Sequence, residues 1–182
     1  MLAALLAVGT ASAGATPIPA DKQALILLRS LAYDRNLPAR AGDAVRIAAL
    51  YRAGDAASEA AASDLVAAIS KASPVSVAGR PVRVVSLPYN ADTLERDLGD
   101  APTAALYLCG GLGGVAGPVM ATTRKLAILS FTSEEEMVRG GLSIGLVRRG
   151  ERAAILVNLV AARAEGADLS AELLRLAEVV SR

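Results

Sequence analysis

The sequence predicts a single three-layer α/β domain, in which a mainly parallel central sheet has helices on both faces and an antiparallel C-terminal hairpin. Length is the first reason, because 182 residues suit one domain with a real core. Short apolar runs are the second, since residues 45–51 and 104–109 have the composition of strands that are buried on both sides. Segments with helical periodicity alternate with these runs, and such alternation is typical of a parallel sheet between two helical layers.

The first half of the chain is predicted to alternate helices with strands. In order, the elements cover residues 20–33 (helix), 45–51 (strand), 58–71 (helix), 82–87 (strand) and 92–98 (helix). The spacing of Ala24, Leu27 and Leu31 places them on one helical face, and Asp21 is the candidate N-cap of this helix. Pro74 ends the second helix, because proline cannot continue the helical hydrogen-bond pattern.

The second half of the chain supplies the remaining strands. In order, the elements cover residues 104–109 (strand), 115–123 (helix), 126–130, 142–148 and 153–158 (strands) and 169–180 (helix). Residues 149–151, Arg-Gly-Glu, predict a tight turn, so the last two strands form a hairpin. Residues 133–136, Ser-Glu-Glu-Glu, match a capping box at the start of a further helix. Leu173, Leu176 and Val180 give the closing helix its apolar face.

The N-terminus predicts export. Residues 2–8 form a short apolar run, and Ala11-Ser12-Ala13 has the small-residue pattern of a signal-peptide cleavage site. No basic residue precedes Lys22, which indicates a signal truncated at its N-terminus; a frayed apolar terminus is the alternative. No later segment is apolar for long enough to span a bilayer, so we expect a soluble, exported protein. The expected division is a signal peptide over 1–13, a flexible lead over 14–21 and one domain over 22–182.

The composition excludes several classes of function. The chain has no His, which removes His-ligated zinc and both the Ser-His-Asp and Cys-His catalytic arrangements. Cys109 is the single cysteine, so neither an intrachain disulfide nor a thiolate cluster can form. A net charge of +1 and 3% aromatic residues argue against nucleic acid as a partner. We therefore expect a protein that is not an enzyme and that holds no cofactor and no metal.

A glycine-rich segment follows the third predicted strand. Residues 111–116, Gly-Leu-Gly-Gly-Val-Ala, fit the pattern G-x-G-x-x-A, in which glycines let the backbone approach a pyrophosphate. Glu134 lies about 20 residues further on, where a ribose-binding acid would be expected. The segment follows the third strand rather than the first, and Pro118 interrupts the helix after it. A flexible turn is therefore the favoured interpretation, and a nucleotide site is the alternative.

The remaining candidate contacts come from the expected topology, because ligands of open α/β sheets bind at the carboxyl ends of the strands. The candidate ligand or partner contacts are Gly110, Gly111, Gly113, Thr132, Ser133, Gly141 and Asn158. Capping of the next helix is the favoured role of Asn158, ahead of ligand contact. Residues 134–136 are favoured as first-turn helix acids over metal ligands, and Cys109 as a buried apolar side chain.

Four segments of the C-terminal third occur in a recognisable order and spacing. They are residues 126–130 (Leu-Ala-Ile-Leu-Ser), 140–147 (Gly-Gly-Leu-Ser-Ile-Gly-Leu-Val), 154–158 (Ala-Ile-Leu-Val-Asn) with Ala161-Ala162, and Leu169-Ser170 with 173–177 (Leu-Leu-Arg-Leu-Ala). This pattern resembles the YfiR family of small periplasmic proteins. A weaker match extends upstream to about Lys22.

The resemblance implies a compact α/β domain in the periplasm with no catalytic role. Studied relatives of this kind repress an inner-membrane diguanylate cyclase and so lower cyclic di-GMP. The implied partner is the periplasmic region of a membrane signalling protein, either a diguanylate cyclase or a sensor kinase, with the chain acting alone or as a homodimer. The alternative, from the residues themselves, is a periplasmic small-ligand binding protein with its site at the carboxyl ends of the strands.

Overall fold

The computed structural model describes residues 18–72 and 76–181. Its strands are β1 Val45–Tyr51, β2 Ser76–Val77, β3 Arg80–Pro88, β4 Ala105–Leu108, β5 Leu129–Thr132, β6 Ile144–Arg149, β7 Arg152–Asn158 and β8 Ala177–Ser181. Its helices are α1 Ala20–Ala32, α2 Leu37–Arg40, α3 Ala56–Lys71, α4 Leu94–Gly99, α5 Ala116–Lys125, α6 Glu135–Arg139, α7 Leu159–Ala164 and α8 Ala171–Leu176. The predicted signal peptide, residues 1–13, and residues 14–17 of the predicted lead lie outside the described residues.

The strands form one sheet in the order β2-β3-β1-β4-β5-β6-β7-β8. β1 pairs in parallel with β3 on one side and with β4 on the other, and parallel pairing continues through β5 to β6. β6 and β7 form the antiparallel hairpin, with Arg149 opposite Arg152 at its turn. The predicted sheet, mainly parallel with a C-terminal hairpin, is therefore confirmed.

The helices cover both faces of this sheet. Successive side chains of a strand point to opposite faces, so Ile47 and Ala49 of β1 join one apolar cluster while Ala48 and Leu50 join another. α1 and α3 pack on the first face, together with residues of α7 and α8. α4, α5 and α6 pack on the second face. This arrangement confirms the predicted three layers.

The C-terminal segment differs from the prediction of one helix over residues 169–180. α8 ends at Leu176, and the chain continues as β8, which pairs in parallel with β7. The free edge of β7 offers backbone donors and acceptors that a helix would leave unpaired, and Val180 packs on the cluster formed by Val138, Val147 and Leu156. Arg149 fixes this strand from outside, with its Nη2 3.0 Å from Oε2 of Glu178.

Two predicted caps and one strand boundary are also wrong. α1 begins after Pro19, and Asp21 lies in its first turn, where its carboxylate accepts from the N–H of Lys22. The capping box over residues 133–136 does not form, because α6 begins after Glu134 and no side chain caps it. The strand expected over residues 126–130 starts later, since the N–H of Leu126 closes the last turn of α5 and Ala127 has a φ of +54°.

A buried ion pair joins the end of α1 to the amino ends of strands β4 and β5. The guanidinium of Arg40 pairs with the carboxylate of Asp34, and both side chains are almost wholly shielded from solvent. Nη1 of Arg40 also donates to the backbone oxygens of Ala104 and Ala127, at 3.0 and 2.8 Å. Oδ1 of Asp34 accepts from the backbone N–H of Asp168 at 2.9 Å. This pair therefore connects α1, α2, the sheet and the segment before α8.

Candidate functional site

The carboxyl ends of β1 and β4 form the topological switch point of the sheet. The chain leaves β1 through α3 to reach β3 on one side, and later enters β4 on the other side. The two connections therefore diverge and leave a crevice between the strand ends. Ligands of open α/β sheets bind in such crevices, so this position is where the fold favours a site.

A cavity of about 450 Å³ occupies this crevice. The residues that line it come from α1 and the segment before it, from α3, from β4 and the glycine turn after it, and from the end of β5. They are Ile18, Pro19, Ala20, Gln23, Asp55, Ala57, Ser58, Ala61, Asp64, Leu65, Tyr107, Cys109, Gly110, Gly111 and Ser133. We call this space the switch-point cavity.

The glycine turn lies between two carboxylates. Gly111 has a φ of +83°, and a Cβ placed on it would lie 2.8 Å from Oδ2 of Asp55. A Cβ on Gly110 would lie 3.3 Å from Oε1 of Glu134. From the loop after β1, Nε of Arg52 donates to the backbone oxygen of Gly111 at 2.7 Å. Both the backbone conformation and the close approach of Asp55 therefore require glycine at position 111.

Asp55 is the N-cap of α3. Its Oδ1 accepts from the backbone N–H groups of Ala57 and Ser58, at 3.0 and 3.1 Å. The positive end of this helix is therefore already bound by a carboxylate of the chain itself. The same carboxylate faces the glycine turn, so this part of the cavity disfavours an anionic group such as the pyrophosphate of a nucleotide.

Tyr107 and Gln23 connect the floor of the cavity to the segment before α1. The hydroxyl of Tyr107 donates to Oε1 of Gln23, and Nε2 of Gln23 donates to the backbone oxygen of Ile18 at 2.5 Å. Burial raises the pKa of Tyr107 well above its ordinary value, so its phenol stays protonated and able to donate. These hydrogen bonds hold residues 18–20 as one wall of the cavity.

Cys109 lies at the cavity as a neutral thiol. Its side chain is buried, and burial raises the pKa of the thiol to about 12. Thiolates are the reactive form of cysteine, so this residue is inert near neutral pH. The geometry agrees with the interpretation of Cys109 as a buried apolar side chain.

The structure brings three of the seven candidate contacts together. Gly110, Gly111 and Ser133 line the switch-point cavity. Thr132 is buried beside α6, where its hydroxyl accepts from the N–H of Glu134 at 3.2 Å. Gly113 begins the short 3₁₀ turn that leads into α5, near Met137.

The other two candidates have packing roles elsewhere. Gly141 has a φ of +122°, and a Cβ there would lie 2.9 Å from the sulfur of Met120. Oδ1 of Asn158 accepts from the N–H of Ala161 at 3.0 Å, and its Nδ2 donates to the backbone oxygen of Val138 at 3.1 Å. The capping role favoured for Asn158 is what the structure shows.

Sequence reasoning did not single out Asp55, Asp64, Gln23 and Tyr107 as cavity residues. A local signal existed for Asp55, because an Asp after a buried strand and three residues before Ser58 matches an N-cap position. The predicted helix began at Ser58, which hid that signal. Gln23 and Tyr107 lie 84 positions apart, and only the fold brings them into contact.

A family model described as YfiR/HmsC-like matches residues 21–178. The chain belongs to the YfiR/HmsC-like family. The resemblance seen in the four C-terminal segments is thereby confirmed, and it extends over all of the predicted domain apart from its last four residues. Among the described residues of this YfiR/HmsC-like protein, no helix is long and apolar enough to cross a membrane.

Solved structures share the fold of this YfiR/HmsC-like chain. A conserved domain protein from Vibrio cholerae has a TM-score of 0.64 at 10% identity, over 88% of this chain and 60% of that one. The ABC domain from Streptococcus pneumonia, in complex with L-Trp, has a TM-score of 0.60 at 15% identity, over 89% and 60%. An open, ligand-free substrate-binding protein from Clostridium difficile has a TM-score of 0.54 at 14% identity, over 80% and 57%.

The chain corresponds to at most 60% of the length of these three structures, and the likeness at such low identity concerns the fold alone. No curated protein sequence matches the chain. Within residues 18–72 and 76–181, no group of His, Cys, Asp and Glu side chains is arranged to hold a metal ion.

Proposed function

We propose that this YfiR/HmsC-like protein is a non-enzymatic periplasmic regulator that binds the periplasmic region of a membrane signalling protein, a diguanylate cyclase or a sensor kinase. The family match over residues 21–178 is the observation that supports this proposal. With a diguanylate cyclase as partner, binding represses the enzyme and lowers cyclic di-GMP. A repressor of this kind changes the ratio of active to inactive partner only by its difference in affinity for the two states.

The chemistry of the chain suits binding better than catalysis. The sequence has no His to serve as a general base, and its single thiol is buried with a pKa raised to about 12. The conspicuous acids of residues 134–136 include Glu135, whose carboxylate is bonded to Arg139 and Arg149, which lower its pKa to about 2. That carboxylate is bound by two cations and is a poor acid or base near neutral pH.

The decisive experiment is crosslinking in intact cells with an affinity tag at Arg182, followed by mass spectrometry. We expect capture of a membrane protein with a periplasmic sensor region and a cyclase or kinase output, and a rise in cyclic di-GMP when the gene is deleted if that output is a cyclase. A variant without residues 1–13 is the matched control, because it lacks the proposed export signal and should capture no such partner. Capture of self-crosslinked chains alone would identify a homodimer and contradict the regulatory proposal.

A second candidate function, binding of a small ligand, is favoured by the switch-point cavity. Its volume of about 450 Å³ lies within the range of about 300–1,000 Å³ that is usual for small-molecule sites. A thermal-shift screen tests this function, because a ligand stabilises the folded state by RT ln(1 + [L]/Kd). A melting temperature that no compound raises would argue against it, and would leave the regulatory proposal untouched.

A further inference from the structure

We propose that the switch-point cavity binds a small organic cation, with the positive group of the ligand beside the carboxylate of Asp55. This inference deepens the small-ligand function by naming the class of ligand. It does not depend on the identity of any membrane partner, so the crosslinking experiment and the binding experiment below can fail independently of each other.

Charge is the first argument. Acidic side chains line the cavity and basic ones do not. Asp55 and Asp64 are among its lining residues, which include no Lys or Arg. Glu134 adds a third carboxylate, whose Oε1 lies close to Gly110. Arg52 lies at the rim, where Nε is committed to the backbone oxygen of Gly111. The residues that line the cavity therefore carry a net negative charge, whereas the whole protein has a net charge of +1.

An unused acceptor is the second argument. Oδ1 of Asp55 accepts two backbone hydrogen bonds of α3, while Oδ2 faces the glycine turn. Within the part of the chain that the structure describes, Oδ2 accepts no hydrogen bond and Asp55 takes part in no ion pair. A partly buried carboxylate oxygen gains most from a donor that also carries a positive charge.

The helix ends argue against the opposite charge. The N-termini of α1 and α3 both adjoin the cavity, and helix N-termini attract anions in many proteins. Here each first turn already holds an acid of the chain, Asp21 in α1 and Asp55 as the cap of α3. These carboxylates oppose the positive helix ends, so neither helix N-terminus favours an anionic ligand.

The apolar part of the cavity provides room for a carbon skeleton. Ile18 and Leu65 are both almost wholly buried, and Pro19 lies beside Ile18 in the same wall. Small side chains of α3, Ala57 and Ala61, leave the space between the walls open. A ligand with one ammonium group and a compact apolar body can place the ammonium beside Asp55 and the body against these walls.

Three probes of the same skeleton and different charge test the proposal: benzylamine, benzyl alcohol and benzoate, titrated into the purified full chain while backbone amides are followed by NMR. We expect benzylamine to shift the amides of Gly110 and Gly111 and to bind at least tenfold more tightly than benzyl alcohol. Benzoate should bind more weakly still. The preference for the amine should shrink as salt is added, because exposed charges are screened.

Two variants identify the carboxylates that are responsible. Asp55→Asn removes the charge but keeps a good N-cap for α3, and Asp64→Asn removes an exposed carboxylate of the same helix. Asp55→Asn should reduce the preference for benzylamine over benzyl alcohol by threefold or more, and Asp64→Asn should reduce it less, because Asp64 is exposed and lies more than two turns further along α3. Asp43→Asn is the control. Asp43 is exposed at the amino ends of the strands, away from the cavity at their carboxyl ends, so its replacement should leave binding unchanged. Equal binding of all three probes, tighter binding of benzoate, no shift at the glycine amides, or an equal effect of Asp43→Asn would each overturn the proposal.

Discussion

The hydroxyl of Ser143 donates a hydrogen bond to the carboxylate of Glu165 in the interior of the protein, where both side chains are inaccessible to solvent. Thr123 donates to the other oxygen of this carboxylate at 2.6 Å, and Ser130 donates through its N–H and its hydroxyl at 2.8 and 3.0 Å. These donors come from α5, from β5 and from the residue just before β6. One buried acid at the end of α7 therefore holds together three elements of the C-terminal half.

Removal of this acid should destabilise the fold. Glu165→Ala would leave the buried hydroxyls of Ser130 and Ser143 and the N–H of Ser130 without their acceptor. We expect a loss of about 3 kcal/mol in the free energy of unfolding, measured by urea denaturation. Glu151→Ala is the matched control, because Glu151 is exposed in the hairpin turn and its replacement should change stability by less than about 0.5 kcal/mol. Similar losses in the two variants would show that the buried hydrogen bonds contribute little.

The same residue should make stability depend on pH. Burial raises the pKa of Glu165 above its ordinary value of 4.5, so the folded state binds this proton more tightly than the unfolded state. Its contribution is then fully present below about pH 4.5 and is lost as the pH rises through the folded-state pKa. The side chain in Glu165→Gln cannot titrate. As the pH rises through the folded-state pKa of Glu165, the stability of this variant should therefore increase relative to that of the unmodified protein.

Urea midpoints of the two proteins between about pH 4 and pH 8 measure this difference. Exposed acids whose pKa is lowered by a neighbouring Arg, such as Glu135 and Asp168, titrate in both proteins and cancel in the comparison. A difference between the midpoints that stays constant with pH would mean that the pKa of Glu165 is the same in the folded and unfolded states, and would contradict this prediction.

Two glycines of the segment after β4 should respond differently to alanine. Gly111→Ala forces a side chain onto a φ of +83° and against the carboxylate of Asp55, and we expect a loss of about 1–3 kcal/mol in stability. Gly117→Ala adds a Cβ in open space within α5, where alanine favours the helix by up to about 1 kcal/mol. Thermal denaturation of both variants checks the prediction, which fails if Gly111→Ala is as stable as Gly117→Ala.

Two neighbouring ion pairs should differ in importance. Asp34→Ala leaves the guanidinium of Arg40 buried without its carboxylate, and loss of one partner from a buried pair costs about 3–5 kcal/mol. Arg35→Ala breaks an exposed pair with Asp168, which solvent screens, so its effect on the unfolding midpoint should be small. A comparable midpoint shift in both variants would contradict this assignment.

The central strands could be predicted because their signal is local. β1 was expected over residues 45–51 and is found there, since a strand between two helical layers needs apolar side chains on both faces. β8 could not be predicted in this way. Leu173, Leu176 and Val180 have helical spacing, yet Val180 lies in a strand because the free edge of β7, which the local sequence does not reveal, pairs with it.

The sequence pointed to part of the lining of the switch-point cavity, while contact of these residues with a ligand or partner stays a prediction. The rule that ligands bind at carboxyl ends of strands pointed to Gly110, Gly111 and Ser133, which do line the switch-point cavity. The charge of that cavity depends on Asp55 and Asp64, which belong to α3 rather than to the strands. No pattern in the sequence states that α3 begins beside β4, so this part required the fold.

The hydrogen bond from Tyr107 to Gln23 has an optical consequence. The chain has four Tyr and no Trp, so its near-ultraviolet absorption and emission come almost entirely from tyrosine. Of the four, Tyr107 alone lines the switch-point cavity, and its phenol is already in a hydrogen bond that an arriving molecule would disturb or shield. This YfiR/HmsC-like protein therefore contains its own spectroscopic reporter, and occupancy of the cavity can be followed by tyrosine emission without any label.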